Sequence, residues 1–172
     1  MAGSSVDVYA LAAGAQSQAA GISLHGYTTV NSLTLDHTLL GVSAAAIDVG
    51  ESIGTAYAAG LMVDGTDTVA DDSSLTNGSI IFARASAQTG EAISYGVLVG
   101  NYDGTPELTL NLDAQSGILA DWAVYTADGV VTLNTSGVIG GRLLVTDLTS
   151  SSSGVFMAMV GSDDKAAVKG AI

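Results

Sequence analysis

Two histidines, seventeen acidic side chains and no cysteine are the groups from which this chain could build chemistry. Nucleophilic catalysis wants a serine or threonine beside a base that a third group orients. His25 and His37 both fall on the polar phase of an alternating pattern, which makes them solvated or interface side chains rather than a nucleophile's base. No Gly-x-Ser-x-Gly elbow occurs, and Gly137-Val-Ile-Gly140-Gly141 lacks the Lys-Ser/Thr of a phosphate loop. It reads as a turn. Most carboxylates stand in turn contexts such as Asp64-Gly65, Asp103-Gly104 and Asp128-Gly129, where aspartate caps its own turn. Asp113 and Asp121, close to Trp122, are the best candidates for glycoside hydrolysis, but one tryptophan makes a poor cleft. Asp64, Asp67, Asp71 and Asp72 gather four carboxylates in one loop without the spacing of an EF-hand. A solvated acidic loop is expected there, with calcium binding left open. No catalytic, cofactor-binding or metal-ligating residue is assigned, and no cofactor is expected.

The charge balance narrows the partners. Four basic residues, Arg84, Arg142, Lys165 and Lys169, leave a formal net charge of −13. Phosphate backbones and anionic bilayers both repel such a chain, so neither nucleic acid nor a membrane surface is an expected partner. No run approaches the roughly 18 apolar residues of a membrane helix. The start, Met1-Ala2-Gly3-Ser4-Ser5, has no basic n-region, and the expectation is a product assembled in the cytoplasm of the producing cell.

The elements that would position any site are strands. Apolar residues make up 48% of the chain and aromatics only 5%, so the core must come from Ala, Val, Leu and Ile. From Ile22 onward, short runs alternate apolar and polar residues and are separated by Gly, Asp and Asn. Ile80, Phe82, Val97, Val99, Leu108, Leu110, Leu112, Val124, Leu143, Val145 and Phe156 are the expected core. Asp128-Gly129 between Tyr125 and Val130 predicts a tight hairpin. The pattern implies an all-β fold, an antiparallel β-sandwich, jelly-roll or barrel-like domain over residues 22–160, with a C-terminal tail at 161–172. Residues 1–21 carry one charge, Asp7, and read as an N-terminal arm. Val6, Val8, Tyr9 and Leu11 are its candidate partner-binding residues, offered by β-augmentation to a neighbouring chain. Pairing of the arm with its own sheet is the competing expectation.

Taken together, the Gly/Ala/Ser/Thr-rich acidic composition, the arm at Met1–Gly21 and the short strands from Ile22 to Val160 resemble the decoration, or cement, proteins of tailed-phage capsids. The resemblance implies a virion structural protein without enzymatic activity, homo-oligomeric and often trimeric, that binds the major capsid protein and stabilises the lattice. It carries no residue motif. The alternative is a carbohydrate- or surface-binding β-sandwich module of a fibre or adhesin. That function needs an exposed aromatic platform drawn from Tyr9, Tyr27, Tyr57, Phe82, Tyr95, Tyr102, Trp122, Tyr125 and Phe156.

Overall fold

The computed structural model describes residues 3–25, 29–65, 69–100, 105–150 and 167–169. The chain winds in successive coils. The first contains β1 (Ser4–Ala13), β2 (Gln16–His25), β3 (Thr29–Val30) and β4 (Thr34–Asp36). The second contains β5 (Thr38–Ile47), β6 (Thr55–Asp64) and β7 (Val69–Thr76). The third contains β8 (Ile80–Ala87), β9 (Ala92–Val99) and β10 (Glu107–Leu112). A fourth, β11 (Gly117–Thr126) and β12 (Val130–Thr135), and a fifth, β13 (Val138–Leu144) and β14 (Asp147–Ser150), are shorter, and β15 (Ala167–Lys169) pairs with β14.

Every pairing between named strands is parallel, and partners lie a whole coil apart. Ser4 aligns with Thr38, Leu39 with Ile80, Ile80 with Gly117 and Gly117 with Val138. These strands form the first stack. A second stack runs β2, β6, β9, and a third runs β3 and β4, β7, β10, β12, β14, β15. β11 bridges the first two stacks because its first half pairs with β8 and its second half with β9. Three walls of parallel strands around one core make a parallel β-helix.

This architecture overturns the antiparallel sandwich or jelly roll. Parallel partners need a long crossover, and here the other two walls of the coil supply it. The expected hairpin at Asp128-Gly129 is a corner instead: β11 and β12 flank it but belong to different walls. Two further expectations change. Gly137–Gly141 is not a turn, since Val138–Leu144 is strand β13. The polar loop after Asp64 is largely strand β7.

The core is a set of columns running along the helix axis. Leu40, Ile81, Ile118 and Ile139 align coil upon coil and are buried. Opposite them, Leu110, Leu133 and Leu148 do the same. Each such side chain contributes roughly 1.5–3 kcal/mol by leaving water. Of the expected core, Val97, Val99, Leu108, Leu110, Leu112, Val124, Leu143 and Val145 are buried. Ile80 is only half-buried, and Phe82 points outward at 41% exposure, because Ile81 and Ala83 hold the inward phase of β8. Phe156 lies outside the described residues.

Small residues let the walls approach. Gly21, Gly60 and Gly96 align in the second stack, and Ala123 continues the column in β11. A Cβ on Gly60 would sit 2.2 Å from Cγ2 of Ile81, and one on Gly96 2.2 Å from Cγ2 of Ile118. The second wall therefore dips toward the first along this line. Corners are held by side chains. Asp36 accepts from the Asn77 side-chain amide at 2.6 Å, and Asp113 accepts from the Asn77 backbone N–H at 2.6 Å. His37 and Asn77 adopt φ of 49° and 55° there, a left-handed backbone that Asn and His tolerate better than bulky residues.

Candidate functional site

The residues singled out for chemistry are spent on architecture. Asp121 accepts from the backbone N–H of Ser94 at 2.9 Å and from its hydroxyl at 2.8 Å, and the Asp121 N–H donates to Ser94 Oγ at 3.0 Å. The exchange fixes the bend of β11 against β9. Asp113 takes backbone N–H groups from Asn77 and Gln115. Burial raises its pKa, but the donors of Ser116, Asn77 and Gln115 outweigh that and hold it below the ordinary carboxylate value. Asp64 is buried at the end of β6, its Oδ1 accepting from Gly65 N–H at 2.8 Å and its Oδ2 lying 3.6 Å from His25 Nδ1. His37 faces Asp36 at 3.2 Å. No group of three or more metal-ligating side chains occurs among the described residues. Asp67 and the side chain of Asp71 lie outside them.

Two surfaces stand out instead. The first is the end of the helix at coil one. Val6, Val8, Tyr9 and Leu11 all lie in β1, which pairs along its whole length with β5, so residues 4–25 form the opening coil of the same domain. β1 and β2 are the outermost strands of their sheet, and among the described residues neither has a partner on its outer edge. Val6 sits in the inward phase beside Leu40 yet is 47% exposed, because no described strand lies beyond β1; Val8 is half-buried against the core. Tyr9 and Leu11 face outward at 66% and 60% exposure. Near them on the first wall, Leu39, Ile80, Phe82, Leu119 and Val138 make an apolar strip along the axis.

The second surface is the outside of the second wall. Register sets its rows: Gln18 beside Tyr57, then Ala20, Ala59, Tyr95, Trp122 and Arg142, then Met62, Leu98, Tyr125 and Leu144. Tyr95 and Tyr125 have ring centroids 5.6 Å apart, and Trp122 meets Tyr125 edge-on at 4.9 Å. The Arg142 guanidinium caps Trp122 at 4.0 Å, a cation–π contact that props the indole upright. The Tyr57 hydroxyl donates to Glu91 Oε2 at 2.6 Å. That bond raises the Tyr57 pKa, and burial raises that of Tyr95, so both phenols stay protonated donors in neutral water. Beside the rings lies a hollow of about 250 Å³ lined by Gln16, Gln18, Ala20, Tyr57, Ala59 and Tyr95 among others. It opens where the Gly21–Gly60–Gly96 column draws the wall inward and where Ala20 and Ala59 offer only methyls.

The sequence pattern placed these aromatics in separate strands without a way to bring them together. Only the coil-to-coil register aligns Tyr95 with Trp122, far apart in the chain. No family model matches the chain, and no curated protein or solved structure matches it either.

Proposed function

We propose that the protein is a non-catalytic structural protein that decorates a protein lattice of the virion type and stands on its open first coil. The observation that carries this reading is the bare end of the helix. β1 and β2 each present ten residues of parallel strand whose outer edge no described strand fills. Solenoids are soluble when their terminal coils are capped, and a long exposed edge is a template for another chain. The proposed occupant is the major capsid protein of the lattice, adding a strand along Val6–Leu11 that covers the exposed side chain of Val6. Lateral contact between copies uses the apolar strip around Phe82, which Asp7 and Arg84 flank, and the −13 charge keeps the remaining surface solvated.

The test is a variant with lysines on the open coil, Tyr9→Lys with Leu11→Lys. Both positions face solvent, so the fold should survive with an unchanged circular dichroism spectrum. The wild-type protein should cosediment with assembled particles from the source of its gene, and the lysine variant should stay in the supernatant. A wild-type protein that never associates with particles, or a lysine variant that associates equally well, defeats the reading.

A further inference from the structure

The geometry points to a binding site for a neutral saccharide in the hollow of the second wall, between Tyr57 and Tyr95. The hollow opens on the outer face of the second wall, with β2 of the first coil as one side, and it does not use β1, where the proposed lattice contact is tested. Its volume, about 250 Å³, falls below the roughly 300–1,000 Å³ of pockets for drug-sized ligands and suits one or two sugar rings. Tyr57 aligns with Ile93, and Tyr95 stands one coil on beside Ala59, two residues along. Strand spacing and rise place the two tyrosines roughly 8 Å apart on the diagonal. Ala59 and Ala20 leave the space between them empty. A sugar presents C–H groups on its ring faces and hydroxyls on its rim, so it needs an aromatic face with neutral donors and acceptors around it. Tyr57 and Tyr95 supply the first, and the side-chain amides of Gln16 and Gln18 supply the second.

The rings are set in advance. Tyr95 leans on Tyr125, Tyr125 on Trp122, and Arg142 caps Trp122, so little side-chain freedom is lost on binding. A quaternary ammonium group, which aromatic cages also hold, has no hydroxyls to meet the amide rim, so it serves as the competing ligand in the test. An anionic sugar would approach a chain of net charge −13 and the Glu91 carboxylate.

The experiment is an array of neutral and acidic glycans probed with the full chain, followed by calorimetry on the strongest neutral hit and, as a control, on choline. Binding to a neutral glycan is expected. Tyr95→Ala should weaken it at least tenfold, and Ala20→Leu, which fills the hollow and leaves every ring in place, should abolish it. Tyr9→Lys with Leu11→Lys should leave it unchanged, which separates this site from the β1 contact. No binding to any neutral glycan, preference for acidic glycans or choline, or binding that survives Ala20→Leu in a folded protein would overturn the assignment.

Discussion

Gly60→Ala tests the inward dip of the second wall more sharply than any loss of a large side chain. The added methyl would lie 2.2 Å from Cγ2 of Ile81 and 2.6 Å from the carbonyl oxygen of Gly96 in the next coil. Ile81 is completely buried and cannot swing away, and the carbonyl belongs to the strand ladder. Overpacking of this kind costs about 1–3 kcal/mol, and two obstructed contacts argue for the upper half of that range. For a chain of this size, about 2–3 kcal/mol lowers the melting temperature by roughly 4–12 °C. Gly50→Ala is the control. Gly50 has nothing within 4 Å of the added methyl and a φ of +60°, so only backbone strain of about 1 kcal/mol is expected. Ile81→Ala removes the first obstruction at a cost of its own, about 2–5 kcal/mol. Combined with Gly60→Ala it should give less than the sum of the two, because the variants share one contact. Urea melts of the four proteins measure all of this. A neutral Gly60→Ala, or strict additivity with Ile81→Ala, would refute the close approach of the two walls.

Leu133→Ala, at a completely buried position in the third wall, should cost about 2–5 kcal/mol in the same urea melts. Phe82→Asp should leave stability within about 0.5 kcal/mol, since the ring faces outward. It should shift any concentration-dependent oligomer toward monomer in sedimentation velocity. Asp36, Asp48 and Asp113 all titrate below their ordinary 3.8 in the fold. For Asp36 the leading cause is the Asn77 amide, and for Asp48 the Thr89 hydroxyl. Because folding depresses these values, the stability they supply is complete above pH 3.8 and drains away as acid takes the pH down through the folded values. Thermal melts at descending pH should show that loss, and Asp113→Asn should make it shallower while lowering stability at neutral pH.

Much of the strand content could be read directly, because alternation fixes which side chains turn inward. Leu108, Leu110 and Leu112 alternate with Thr109 and Asn111, and the structure buries the leucines. Phe82 misled because Ile80, Ile81 and Phe82 are consecutive apolar residues, and a run without alternation carries no phase. The pairing was not legible for a different reason. Period two says which face a residue occupies but not which strand lies beside it, and an Asp-Gly corner serves a hairpin and a helical coil equally well. Successive coils also differ in length, as the steps from Leu39 to Ile80 and from Gly117 to Val138 show, so no repeat period marks the winding. The aromatic face was hidden by the same gap. Tyr57, Tyr95 and Trp122 become neighbours only after the coils are stacked, and Ala20 and Ala59, which make the hollow, are unremarkable among so many alanines.

The shrinking of the coils limits how this molecule can polymerise. The first coil offers strands of ten residues, whereas the last described strands at the other end are β13, β14 and β15, of seven, four and three. A head-to-tail filament would have to match those unequal strands at every joint, leaving much of the wide edge bare at each step. Among the described strands such a contact repeats poorly, which disfavours open-ended growth by that route. Two wide ends can meet each other, and that union uses up both. Among the described strands, then, the wide first coil finds its match in length in a second wide coil or in a foreign surface.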